Sequence, residues 1–286
     1  LIRSVLRNVL LKLRRFALLT LALPLPAARR RALERRLRGW EQLRKLRQCD
    51  VAIVSYGKAG RTWLRVMLSR FYQLAYGLPE RLIGFDNFHA RDARVPVFFF
   101  THDNYIEDYT GRRDKRAFDG KRVILLVRSP QDVAVSQWFQ WKFRMRPGKK
   151  LLNEYPPAGE DVELADFVMR PASGLAKIVD WMNLWAAEVE RMPALLLVRY
   201  EDLRADAAGE LRRILRFVGA PEDEAALRGA VEYASIDNMR ELERRRVFWL
   251  AGGRMTPRDR SNPDSFKVRR AKVGGYRDYF EEDQIE

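Results

Sequence analysis

From residue 50 onward the chain alternates short apolar runs with longer stretches in which apolar positions recur every three or four residues. The runs are Val51–Ser55, Val95–Thr101, Arg122–Arg128 and Ala194–Arg199. Being continuous rather than alternating, they predict strands covered on both faces. Between them, Arg61 to Tyr76 places Trp63, Leu64, Met67, Leu68, Phe71 and Leu74 on one side, and Gly77 and Pro79 stop the pattern. Further helices are predicted over 130–144, 172–191 and 206–217, the last ending at Gly219. Strands alternating with helices predict an α/β fold: a central parallel sheet flanked by helices on both faces. There is no internal repeat and no low-complexity segment.

Residues 1–48 follow another pattern. Leu1, Ile2, Val5, Leu6, Val9, Leu10 and Leu13 recur at helical spacing, with Arg3, Arg7 and Arg14 between them. The apolar stretch from Phe16 to Ala28 falls short of the ~20 residues that span a bilayer, and Pro24 and Pro26 break it. Arginine clusters flank it at 14–15 and 29–31, as in a segment lying among lipid headgroups. The expectation is a basic amphipathic helical arm over 1–48 that rests on an anionic membrane surface, followed by one domain over 49–286. A surface helix packed on its own domain, arginines solvated, is the bland alternative.

Charge sharpens that division. Of a net +16, the first 48 residues supply +12, from fourteen Lys or Arg against Glu34 and Glu41. Charge gathered in one leucine-interleaved arm favours lipid over nucleic acid as the partner. Composition otherwise narrows the field. With 286 residues and 47% hydrophobic side chains, a sizeable core is expected. A single cysteine, Cys49, excludes an internal disulfide; beside only His89 and His102, no metal site is expected. These features suit a reducing, cytoplasmic setting, at the inner face of a membrane if the arm binds one. Oligomeric state is left open.

The first predicted strand runs into Tyr56-Gly-Lys-Ala-Gly-Arg-Thr-Trp63 and then a helix. Glycines let backbone N–H groups approach an anion, and a helix N-terminus favours negative charge, so the segment can cradle a phosphate. Lys58, Arg61 and Thr62 add donors; an ordinary glycine-rich turn is the alternative. The usual nucleoside-triphosphate loop ends in Gly-Lys-Ser/Thr, whereas here the lysine precedes the second glycine. The third strand delivers Arg128 at its carboxyl end, with Ser136 two helical turns on, a pairing suited to a second phosphate. Alternatively, Arg128 is a salt-bridged strand terminus and Ser136 a helix-surface residue.

Four segments, in order, resemble the sulfotransferase family of cytosolic and bacterial type, whose fold is P-loop-like. Tyr56 to Leu64 is similar to its 5′-phosphosulfate loop, and Arg128-Ser-Pro-Gln-Asp-Val-Ala-Val-Ser136 to its 3′-phosphate motif. Val198-Arg-Tyr-Glu-Asp-Leu203 resembles a segment whose tyrosine lies near adenine, and Val268-Arg-Arg-Ala-Lys-Val-Gly-Gly-Tyr-Arg277 resembles the closing loop. The resemblance implies 3′-phosphoadenosine-5′-phosphosulfate as co-substrate, its bisphosphate PAP as product, and no metal. The implied binding residues are Lys58, Ala59, Gly60, Arg61, Thr62, Trp63, Arg128, Ser136, Tyr200, Arg269, Arg270 and Ala271. Arg61 stands where the loop usually has threonine, Ala271 where the closing loop has glycine, and Tyr276 where it has tryptophan. The family's catalytic histidine follows a strand in Lys-Thr-His; this chain keeps Thr101-His102 but has Phe100 at the lysine position. His102 is thus the expected general base, Lys58 the expected catalytic cation, and His89 is read as structural.

The implied reaction moves a sulfonate to a hydroxyl or amine of a small-molecule or lipid acceptor, the arm favouring a lipid or glycolipid. Trp138, Trp141, Phe143, Phe248 and Trp249 are candidates to line an apolar acceptor pocket, with core packing as the alternative. Two other readings remain at this point: a P-loop-type kinase or NTPase, and a non-catalytic basic membrane-binding protein.

Overall fold

The computed structural model describes residues 2–248 and 255–285, with side chains from Val9 onward. Two helices, α1 (Ile2–Leu21) and α2 (Ala27–Gln48), precede the sheet. Its strands are β1 (Val51–Val54), β2 (Phe98–Thr101), β3 (Arg122–Val127) and β4 (Leu195–Arg199). All pair in parallel, in the order β2-β1-β3-β4. Val51 lies beside Phe98 on one side and Arg122 on the other. β2 begins three residues later than its apolar run: Pro96 has no N–H to give the ladder, and the Val97 N–H goes to the Asp50 carboxylate at 2.7 Å.

The helices α3 (Arg61–Tyr76), α4 (Ile106–Thr110), α5 (Pro130–Phe143), α6 (Pro147–Leu152), α7 (Leu164–Met169) and α8 (Leu175–Val189) alternate with these strands. After β4 come α9 (Tyr200–Ala205), α10 (Ala207–Val218), α11 (Glu224–Tyr233), α12 (Ile236–Arg244) and, near the end, α13 (Glu282–Ile285). Strand periodicity sorts the core into two layers. Val51 and Ile53 pack with Leu64 and Phe71 of α3, Ile214 of α10 and Leu227 of α11. Ala52 and Val54 face the other way, with Leu46 of α2, Val133 of α5 and Trp185 of α8.

The first 48 residues divide into two parts. α2 is packed on the globule: Leu43 and Leu46 are buried, and Arg35 pairs with Asp108 at 2.8 Å while donating to the Leu152 carbonyl at 2.9 Å. A β-carbon on Gly39 would lie 2.0 Å from the Tyr105 carbonyl oxygen, so glycine is what lets α2 approach the start of α4. Lys121 closes the far end of α2, donating to the carbonyls of Arg47 and Cys49 at 2.9 Å. α1 folds back on α2, where Arg15 pairs with Glu41 and Arg14 lies over the Trp40 ring. Its opposite side leaves Val9, Leu10, Leu13, Phe16 and Leu21 exposed, with Leu23 and Leu25 in the turn beyond. Leu1, the side chains of Ile2, Arg3, Val5, Leu6 and Arg7, and Trp249 lie outside the described residues.

Candidate functional site

The carboxyl ends of β1, β2 and β3 open into a cavity of about 1130 Å³. That is where a parallel sheet presents loops rather than helices to a ligand. β1 turns through Ser55–Gly60 into α3. Gly60 caps the helix with φ +92°, and a side chain there would strike the Tyr200 ring at 2.6 Å. Lys58 takes a left-handed φ of +72°, costly for a residue with a side chain. Ala59 is buried beneath this loop, while Lys58, Gly60, Arg61, Thr62 and Trp63 line the cavity.

Arg128 leaves β3 for the same space. Its guanidinium donates to Asp132 (3.2 Å), to the Lys272 carbonyl (3.0 Å) and to the Lys58 carbonyl (3.4 Å), and lies 4.4 Å from the Tyr200 ring centre. Its Nε is buried without a hydrogen-bond partner. Asp132 also accepts from the Gly274 and Tyr276 N–H groups, at 2.9 and 3.0 Å, and so fastens the segment 268–277 over the cavity. Arg269, Arg270 and Ala271 reach the cavity from this segment, and Ser136 from α5. Ala271 adopts φ +53°, keeping the left-handed turn that glycine would give without strain. Trp63 packs edge-on to Tyr200, their ring centres 6.0 Å apart, with Arg204 over the Trp63 ring: a platform that suits a flat base.

The cavity floor holds two cations that sequence reasoning missed. Arg144 follows α5 and pairs with buried Glu243 at 3.0 Å. Lys267 precedes the closing segment, and its backbone N–H donates to the same carboxylate at 2.8 Å. Burial first, then Lys58, Arg144 and Arg61, hold the Lys267 ammonium well below its ordinary range. Burial, followed by Arg144 and Arg269, brings Lys58 down to about 7. Cations crowded enough to depress one another are relieved by an anion among them. With the unpartnered Arg128 Nε and the left-handed Lys58 and Ala271, this is the environment a molecule with two separated anionic groups would fit.

His102 sits at the end of β2. Its Nδ1 lies 2.9 Å from the Ser55 carbonyl oxygen, and its Nε2 lies 2.5 Å from Arg61 Nη2. Burial, then the Arg61 charge, push its pKa well below the ordinary histidine value, so the ring is neutral at neutral pH. Its carbonyl accepts from the Trp181 indole at 3.1 Å, which holds the strand end in place. Asp103 is committed elsewhere, in a buried 2.8 Å pair with Lys115. His89 bonds Val95 O through Nδ1 at 2.8 Å and does not line this cavity.

Beyond His102 the cavity is bounded by Glu34, Arg35 and Arg38 of α2 together with Asn104, Glu107, Lys149, Tyr155 and Lys177. This wall is polar. Trp141 is instead buried with Val162 and Phe167, and Trp138 packs against that cluster; Phe248 belongs to the sheet core. None of the three, nor Phe143, lines the cavity. The pattern of aromatic residues suggested an apolar pocket, but packing draws these rings into the core. Among the described residues no helix is long and apolar enough to cross a membrane.

A family model for the sulfotransferase domain matches residues 48–286. Cytosolic sulfotransferase 3 of Arabidopsis thaliana is 21% identical over 215 residues, covering 70% of this chain and 64% of that protein. Sulfotransferase 2B1 of Rattus norvegicus is 24% identical over 227 residues, covering 70% and 58%. The chain thus spans less than two thirds of the length of either protein. Among solved structures, mouse sulfotransferase SULT7A1 complexed with PAP superposes with a TM-score of 0.55 at 20% identity, over 86% of this chain and 85% of that one. At such identity the likeness establishes the fold.

Proposed function

The chain belongs to the sulfotransferase family, and from that premise we propose that it transfers a sulfonate group from 3′-phosphoadenosine-5′-phosphosulfate to a hydroxyl or amine of an acceptor. The observation that carries this reading is the convergence of the β1–α3 cradle and Arg128 on one cavity, in which burial first and then the charges of Arg144 and Arg269 bring Lys58 down to about 7. Lys58, Arg61 and Thr62 would hold the 5′-phosphosulfate, and Arg128, Ser136, Arg269 and Arg270 the 3′-phosphate. Trp63 and Tyr200 would flank the adenine. The donor supplies an activated sulfur with adenosine-3′,5′-bisphosphate as leaving group. His102 Nε2 receives the acceptor proton while the new O–S or N–S bond forms and the S–O bond to the 5′-phosphate breaks. Lys58 and its neighbours offset charge growing on that phosphate, each such fixed donor being typically worth ~10²–10³ in rate.

The polar wall beside His102 suits an acceptor with a polar, hydroxyl-bearing head over a flat hydrocarbon. The exposed leucines of α1, with Lys12, Arg29, Arg30 and Arg31 close by in the chain, suit a peripheral seat on the anionic inner face of a membrane. Together they favour a lipid headgroup, a glycolipid foremost, as acceptor. Incubation with labelled donor and a membrane-lipid extract, followed by mass spectrometry, is expected to yield a sulfonated lipid. Transfer confined to water-soluble acceptors would remove the lipid part of the reading.

The membrane seat has its own test. In liposome flotation the full chain should rise with anionic vesicles, and a variant lacking residues 1–21 should stay below. Binding should weaken yet persist near ~1 M salt, where the Debye length is about 3 Å, because salt does not screen the apolar face. Equal flotation of both proteins would reduce α1 to a part of the globule.

A further inference from the structure

We propose that Arg61 is a releasable cap on the base, holding the lone pair of His102 until the donor's anion draws the guanidinium away; this rests on the donor reading above. The argument begins with the tautomer. The Ser55 carbonyl oxygen can only accept, so the proton of a neutral His102 is on Nδ1 and the lone pair is on Nε2. A guanidinium has no acceptor atoms. The 2.5 Å contact between Arg61 Nη2 and Nε2 is therefore an N–H of Arg61 donating into that lone pair. While the contact stands, Nε2 can accept no proton from an acceptor hydroxyl or amine.

Arg61 opens α3, directly after the cradle. Other cations stand near it: Lys267 feels the charges of Lys58, Arg144 and Arg61 together. Without an anion, repulsion from these cations favours the side of the neutral imidazole. An anion among Lys58, Arg144 and Lys267 reverses the balance, because an ion–ion contact with a bidentate oxygen pair outweighs an ion–dipole contact with imidazole. Arg61 then joins the cradle, and Nε2 faces the acceptor. The threonine that the resembling loop carries at this position is too short to span to the histidine, so the cap is a feature of this chain. Its consequence is order: the base is freed once donor is bound, and acceptor bound alone is not deprotonated.

The test uses the full chain labelled with ¹⁵N-histidine, in which His102 and His89 are the two reporters. In the unliganded protein the His102 Nε2 resonance should carry the signature of a lone pair engaged by a donor. Adding adenosine-3′,5′-bisphosphate should move it toward that of an uncapped nitrogen, with His89 unmoved. In Arg61→Thr the uncapped signature should be present from the start and should not respond to the bisphosphate, whose binding is followed in parallel by calorimetry. His102 should also titrate higher in Arg61→Thr than in the unaltered chain, though Lys149 and Lys267 remain near it. Identical unliganded signals in the two proteins would eliminate the cap, whatever the donor does. Bisphosphate that binds the unaltered chain and leaves its Nε2 signal in place would eliminate the release while sparing the donor site. Absence of binding to either protein would overturn the donor reading and the release together.

Discussion

Replacing His102 by alanine should slow sulfonate transfer by ~10²–10⁴, the usual contribution of a positioned general base, without weakening the binding of adenosine-3′,5′-bisphosphate. The separation follows from placement. The proposed donor contacts come from the β1–α3 cradle, Arg128 and the closing segment, whereas His102 stands at the end of β2 and meets the cradle only through Arg61. Its pKa is already low, so the imidazole need lose no proton before acting. Asp103 cannot take over, being locked to Lys115 in a buried pair at 2.8 Å. His89→Ala is the control and should transfer sulfonate at close to the normal rate, since that ring is bonded to the Val95 carbonyl away from the cavity. Near-normal turnover in His102→Ala would move the base to another group.

Arg128→Ala should weaken binding of adenosine-3′,5′-bisphosphate about ten- to a hundredfold, the range set by loss of charge-assisted hydrogen bonds worth ~1.5–3 kcal/mol. Arg128 is positioned by Asp132 and the Lys272 carbonyl and leaves Nε without a partner, so the side chain is held ready with donor capacity in reserve. The fold should survive the change. Asp132 keeps its bonds to the Gly274 and Tyr276 N–H groups, and these still fasten the closing segment. At saturating donor the rate should fall much less than the affinity, because Lys58 and His102 are untouched. Equal losses in affinity and in saturated rate would place Arg128 at the reacting sulfur instead.

Most of the sheet was legible because each strand is a continuous apolar run, largely buried in β1, β2 and β3 while the edge strand β4 leaves Leu197 exposed, and the helix over 61–76 carries its own stop signals. The cradle, Arg128 and His102 were legible because they sit at strand ends, where sequence order and spatial order coincide. Arg144 and Lys267 were not. They join Lys58 through a shared contact with Glu243, a carboxylate about a hundred residues from one and two dozen from the other. A hint for Lys267 existed in its place just ahead of the closing loop, though nothing in local pattern turns it toward the cavity. The two halves of the arm were likewise indistinguishable by charge. What separates them is Gly39, whose missing side chain admits the Tyr105 carbonyl and so seats α2, while α1 keeps Leu10, Leu13 and Leu21 outward. The aromatic residues misled for a related reason: a tryptophan in a helix fits a core or a pocket wall equally well until its neighbours are known.

The central claim is that the cavity binds a 3′-phosphorylated adenosine donor, and a thermal melt tests it most directly. Adenosine-3′,5′-bisphosphate should raise the melting temperature of the unaltered chain, increasingly with concentration through mass action. The rise should be largely lost in Arg128→Ala, and ATP with Mg²⁺ should give no comparable rise. No rise with the bisphosphate, alongside a robust one with ATP and Mg²⁺, would contradict the account and point to a kinase-like nucleotide site.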